Sequence, residues 1–279
     1  PVTRIAVFYK EDGSADTYFI PAELPVHTFI DTQIIAESPD EYFWAGIGDA
    51  FSKGPEVELS SREVELLHSP LMGRALAAGA CIEPLFDNAE QALADKRAGI
   101  VSEAFENVVL NIIITAGVVS NMTTNIGAER GAYYFNSSTA HAFYNAFTAL
   151  GERGEKHLHG EVVSFGTCVL YAFDGNLKAL EEQVALNRKL GLPTTLSDLD
   201  ITPESVGADL DIIVERAQKT NEWGRAPYGF TPDRFRQAIL DTDAYGRAVA
   251  SGEKDQETAA LDVIAAHAPS AETAVPRKM

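Results

Sequence analysis

The chain has 279 residues, enough for one large domain or two ordinary ones around a sizeable core. Its 41 acidic residues against 22 basic ones leave a formal net charge of -19, which repels phosphate backbones and argues against nucleic-acid binding. Two cysteines, Cys81 and Cys168, lie far apart without CxxC spacing, which disfavours a disulfide framework or a thiolate metal site and suits a reducing, cytoplasmic setting.

The first predicted elements are strands. The runs 4–9 (RIAVFY) and 16–20 (DTYFI) are rich in β-branched and aromatic residues, and the turn-forming KEDGSA between them predicts a hairpin. A third strand is expected over 27–31 (HTFID). After Ser38-Pro39 helical periodicity takes over. Ser60 and Glu63 have the spacing of a capping box, which predicts a helix start there. The most apolar run, 108–119, is shorter than a bilayer needs and contains Asn111 and Thr115, so no membrane span is expected. The stretch 176–190 reads as a helix stopped by Gly191, with Pro193 beyond. Thr202-Pro203 and Thr231-Pro232 each pair a capping residue with proline at the first helical position. Apolar stripes follow each: Val206, Leu210, Ile213 and Ala217, then Phe235, Ala238, Ile239 and Thr242. From Ser251 onward the composition predicts one surface helix and a frayed end.

No signal peptide is expected at the start. The chain opens at Pro1 rather than Met, and the strand-rich head reads as the rim of a sheet lying upstream, since about 40 residues in three strands rarely stand alone.

Three residues attract chemical interest. Asp49 follows Gly46 and Gly48, which allow a close approach; taken alone it reads as a helix cap or a surface carboxylate. His141 lies in an apolar helical stretch, where a lone histidine is more often a hydrogen-bonded core residue; Tyr144 and Asn145 share its face and are expected to support it. In the stretch 157–166 (HLHGEVVSFG), Gly160 marks a turn into a buried helix. An imidazole at such a helix start meets the positive end of the dipole, which favours the neutral, metal-binding form and so favours His159 over His157. One aspartate and two histidines suit Zn²⁺ or Fe²⁺ and leave a coordination position open. Periodicity does not show that residues 92 and 18 positions apart (141−49 and 159−141) meet in space.

The segments 29–39 (FIDTQIIAESP), 45–53 (AGIGDAFSK), 140–150 (AHAFYNAFTAL), 159–166 (HGEVVSFG) and 191–201 (GLPTTLSDLDI) occur in this order and together resemble the glycerol dehydrogenases of the iron-containing (group III) alcohol dehydrogenase superfamily. The resemblance runs to about Val249. It implies an α+β chain: a short β-rich head over 1–38, the remnant of a Rossmann-like nucleotide-binding domain, then a mostly helical metal- and substrate-binding domain of the dehydroquinate synthase-like fold over 39–250, and a tail over 251–279. It implies Asp49, His141 and His159 as metal ligands, zinc before iron; Glu161, beside His159 in sequence, is expected to orient the site from behind. It implies NAD as cofactor, with Thr3 and Val7 lining its nicotinamide side, and oxidation of a polyol such as glycerol to dihydroxyacetone in a large homo-oligomer, often an octamer. The family's Gly-Gly-Gly-Lys phosphate loop has no counterpart in this chain, and Tyr144 stands where the family carries a second histidine. A related branch of the superfamily acts on 2-hydroxycarboxylates, and a metal-binding remnant without turnover is the non-catalytic alternative.

Overall fold

The computed structural model describes residues 2–3, 5–11, 15–19, 27–125 and 132–269. The head forms the expected hairpin: β1 (Ile5–Tyr9) pairs antiparallel with β2 (Ala15–Phe19), Ile5 opposite Phe19. The expected third strand over 27–31 does not form. Asp31 instead caps α1 (Thr32–Glu37), its carboxylate accepting the backbone N–H groups of Gln33 and Ile34. An aspartate two and three residues ahead of free amides competes well with strand pairing.

Helices follow in close succession: α2 (Asp40–Ala50), α3 (Lys53–Ser61), α4 (His68–Ala78) and α5 (Glu83–Arg97). The capping box expected at Ser60 is absent. Ser60 sits inside α3 and donates its hydroxyl to the carbonyl of Phe135, while Glu63 adopts a left-handed φ of 58° just past the helix. The pattern thus marks a helix end, because tertiary burial of Ser60 and Ser61 draws both residues into the preceding helix.

The apolar run becomes part of a 20-residue helix, longer than its sequence predicts: α6 (Glu103–Leu110), a π-helical turn (Asn111–Thr115) and α7 (Ala116–Met122). By length and composition alone this helix could cross a membrane. Part of its apolar surface is buried: Phe105, Val108 and Val109 pack with α2 and α5, and Val119 packs with Val57 and Ala77, while Leu110 and Val118 are exposed. The wide π turn presents the Ile113 carbonyl to the backbone N–H of Val2, at 2.9 Å, and Asn121 donates to the Val2 carbonyl. These two bonds tie the start of the head to the helical body.

A two-residue pair, β3 (Thr124–Asn125) with β4 (Tyr133–Tyr134), precedes α8 (Thr139–Phe147) and the short α9 (Glu152–Lys156). Then come α10 (His159–Asp174), α11 (Leu177–Leu190), α12 (Val206–Ala217), α13 (Pro232–Ser251) and α14 (Lys254–His267). The stop of α11 at Gly191 is as the sequence predicts, and Gly191 adopts the left-handed cap. Thr231 caps α13 by accepting the N–H of Arg234, and its stripe Phe235, Ala238, Ile239 and Thr242 is buried. Thr202 starts only a turn, accepting the N–H of Ser205, and the regular helix begins at Val206. The predicted surface helix of the tail is α14, which buries Ile264 against the body.

Helix α10 is the axis of the body. Nearly every side chain from Gly160 to Phe173 is buried, as expected of a helix that is apolar all round. One core cluster joins α8, α10, α12 and α13; a second joins α2, α5, α6 and the end of α11. The start of α10 lies where α2 and α8 converge on it, and that junction positions the site. The chain is thus a small two-stranded head on an α-rich domain.

Candidate metal centre

Two glycine contacts set the geometry. A Cβ on Gly160 would lie 1.7 Å from the carbonyl oxygen of Ala45, and one on Gly48 would lie 2.4 Å from that of Gly160. Helices α2 and α10 therefore touch backbone to backbone, which only glycine permits. A similar contact, Gly166 against the carbonyl of Ala140, seats α8 on α10. The close approach that Gly46 and Gly48 allow is thus partly taken by a helix of this chain, at Gly48.

The consequence is convergence of three side chains. Asp49 comes from the last turn of α2, His141 from the first turn of α8, and His159 is the first residue of α10. Their donor atoms all lie within 4.8 Å of one another, in a half-buried position. Asp49 Oδ1 is 3.5 Å from His141 Nε2 and 3.2 Å from His159 Nε2. A tetrahedral zinc site with bonds of about 2.1 Å has its ligand atoms about 3.4 Å apart, so these spacings fit a divalent cation. The donor chemistry, two imidazole nitrogens and one carboxylate, fits as well.

The electrostatics have a clear direction. Burial works against ionised Asp49, but His159 and His141 outweigh it and hold the carboxyl well below the ordinary carboxylate range. Burial likewise works against protonated His141, but Glu56 and Asp49 push it up to about 10. Without a cation, a proton on His141 balances the two carboxylates; a bound cation would displace that proton.

The support around these residues differs from the sequence expectation. The ring of Tyr144 packs edge-on against His159, centroids 4.2 Å apart. Asn145 donates to the buried carboxylate of Glu222. Glu161 does not orient the cluster from behind. From the first turn of α10 its side chain reaches back, accepting the Leu158 N–H at 3.0 Å and pairing with His157 Nδ1 at 2.9 Å. His157 is buried between Glu161, Asp200 and Phe147, a tether at the helix start lying outside the cluster.

The residue that sequence reading missed is Glu56. It is fully buried and its Oε2 lies 2.6 Å from His141 Nδ1. One signal was available: Glu56 stands seven positions, two helical turns, after Asp49. Thr3 lies beside the docked Val2, and Val7 lies in β1 opposite Thr17; neither belongs to the three-residue cluster.

The chain is 31% identical over 252 residues to a glycerol dehydrogenase of Escherichia coli O6:H1, covering 88% of this chain and 65% of that protein. The crystal structure of a probable glycerol dehydrogenase from Sinorhizobium meliloti 1021 superposes with a TM-score of 0.76 at 28% identity, over 88% of this chain and 67% of that one. Over these residues the chain is similar to glycerol dehydrogenases in both sequence and fold. An iron-containing alcohol dehydrogenase from Thermotoga maritima shares the fold, with a TM-score of 0.55 at 20% identity over 86% of this chain and 59% of that one. No family model matches. The α-rich body has the dehydroquinate synthase-like fold, and the chain spans 65% of the length of its Escherichia coli relative.

Proposed function

We propose that Asp49, His141 and His159 hold a divalent cation, zinc before iron, and that the protein is an NAD-linked dehydrogenase of a polyol, with glycerol oxidised to dihydroxyacetone. The observation that carries this reading is the convergence of one carboxylate and two imidazole nitrogens within 4.8 Å, at spacings a tetrahedral cation accepts. Similarity to glycerol dehydrogenase over 88% of the chain supports the substrate class. When bound, the cation supplies a Lewis acid for an alcohol oxygen and NAD supplies the hydride acceptor.

The chain's own residues do the holding and shaping. Asp49 and the two histidines fix the cation from three sides, and their partial exposure leaves a side for substrate. Tyr144 walls the site next to His159 and excludes water there. Thr3 and Val7 are the residues we assign to the nicotinamide side, with 1–38 as part of a nucleotide-binding unit, 39–250 as the metal and substrate domain and 251–279 as a tail. A homo-oligomer completes the reading.

Metal content of the purified protein, and NADH formation from glycerol, 1,2-propanediol and a 2-hydroxy acid, test it. The expected result is stoichiometric metal and turnover of glycerol with NAD, both lost in Asp49→Asn. Preference for the 2-hydroxy acid would reassign the substrate. Metal retained in Asp49→Asn, His141→Ala and His159→Ala alike would overturn the site.

A further inference from the structure

We propose that Glu56 is the positioning residue of this centre: one carboxylate oxygen caps α8 and the other fixes the His141 ring so that its Nε2 faces Asp49 and His159. The inference rests on the cation-binding reading above and adds a residue to it.

A fully buried carboxylate is costly unless its oxygens are satisfied. Both oxygens of Glu56 are. Oε1 accepts the backbone N–H of Ser138 at 2.8 Å and that of His141 at 2.9 Å, while Oε2 lies 2.6 Å from His141 Nδ1. Ser138 occupies the N-cap of α8, where its hydroxyl would ordinarily accept an N–H of the first turn. That hydroxyl instead donates to the carbonyl of Arg225 at 2.7 Å. Glu56, from a different helix, fills the cap that Ser138 leaves open.

Capping needs only one oxygen. The second reads the imidazole. An ionised carboxylate only accepts hydrogen bonds, so the nitrogen facing it must donate. A neutral His141 with its proton on Nδ1 presents a lone pair at Nε2, the nitrogen that lies 3.5 Å from Asp49. The same contact therefore selects the tautomer, aims the ring and raises its basicity as a ligand. Because α3 carries Glu56 and α8 carries His141, the position of the ligand is set by how these two helices seat on one another.

Glu56→Gln tests this with Co²⁺ as the probe, titrated into chelator-treated full-length protein and followed by its visible absorption. The glutamine carbonyl can still cap α8, but its NH₂ group faces Nδ1 and favours the proton on Nε2. Binding is expected to weaken about 10- to 100-fold. Ser138→Ala disturbs the same helix start without touching the ring and is expected to bind as the native protein does. Native affinity in Glu56→Gln, or an equal loss in Ser138→Ala, overturns the proposal. If Glu56→Gln fails to fold, Glu56→Asp keeps the charge and shortens the reach; an affinity less than about tenfold weaker in that variant also overturns it. Asp49→Asn separates the two readings: Co²⁺ binding that survives in this variant sinks the cation site itself, whereas its loss there beside native affinity in Glu56→Gln sinks only the role of Glu56.

Discussion

Tyr144 is buried, and its ring rests edge-on against His159. Removing the ring leaves a void of aromatic size beside His159. Tyr144→Ala is expected to cost about 3 kcal/mol or more of stability in denaturant unfolding, as aromatic-to-alanine changes in cores do, and to weaken metal binding by freeing His159. Tyr144→Phe keeps the ring and is expected to bind metal within about threefold of the native protein, a shift under 1 kcal/mol. A large loss in the phenylalanine variant would show that the hydroxyl, and not the ring, supports the site. At this scale the sequence revealed the chemical types but not all the partnerships. Asp49, His141 and His159 stand out through their local motifs. Glu56 does not, because its partner lies 85 positions away and a buried glutamate looks in sequence like any surface one. Glu161 stands two residues after His159 in sequence, yet its position in the first helical turn aims it backward to Leu158 and His157.

The helices themselves were readable where a local device ends them. Asn176 and Gly191 bracket α11, and Thr231-Pro232 opens α13, because caps and left-handed glycines act within a few residues. The misread pattern at Ser60 and Glu63 is local chemistry overruled by packing: Ser60 is buried and bonded to Phe135. The strand expected at 27–31 lost to the cap that Asp31 offers α1. The junction of α2 with α10 is a tertiary fact that only the paired glycines hint at. Gly160→Ala would place a methyl group 1.7 Å from the Ala45 carbonyl, and the helices must separate to admit it. The expected loss is about 3 kcal/mol or more, read from denaturant midpoints, with metal binding lost as Asp49 and His159 move apart. Gly207→Ala in α12 is the contrast: nothing lies within 4 Å of the new Cβ, and stability is expected to hold or rise by up to about 1 kcal/mol. Equal effects of the two substitutions would mean that helix propensity, and not the close approach, governs Gly160.

Across the whole molecule the acidic excess and the internal ion pairs pull stability in different directions as pH changes. A net charge of -19 at pH 7 means self-repulsion that eases as pH falls toward the sequence pI of about 4.6. His141, pushed up to about 10, contributes stability that is fully present below its unfolded value of about 6.5 and is lost as pH rises through about 10. Asp49, Glu56 and Asp209 are displaced the other way. Burial opposes their ionisation, but His159 and His141, His141 and Lys53, and Arg153 respectively outweigh it and hold them below their ordinary values. Their contribution is present above the unfolded values of about 4 and is lost as pH falls through the depressed folded ones. Mild acid therefore relieves repulsion and keeps His141 charged without yet discharging the partnered carboxylates. In chelator-treated protein the thermal midpoint is expected to peak between about pH 5 and 6.5, fall gently toward pH 9 and collapse below about pH 4. A midpoint that climbs steadily from pH 5 to 9 would mean that neither the charge excess nor His141 governs the balance. Saturating zinc should move the optimum upward, because a cation that replaces the His141 proton removes the alkaline loss and binds better as that proton leaves.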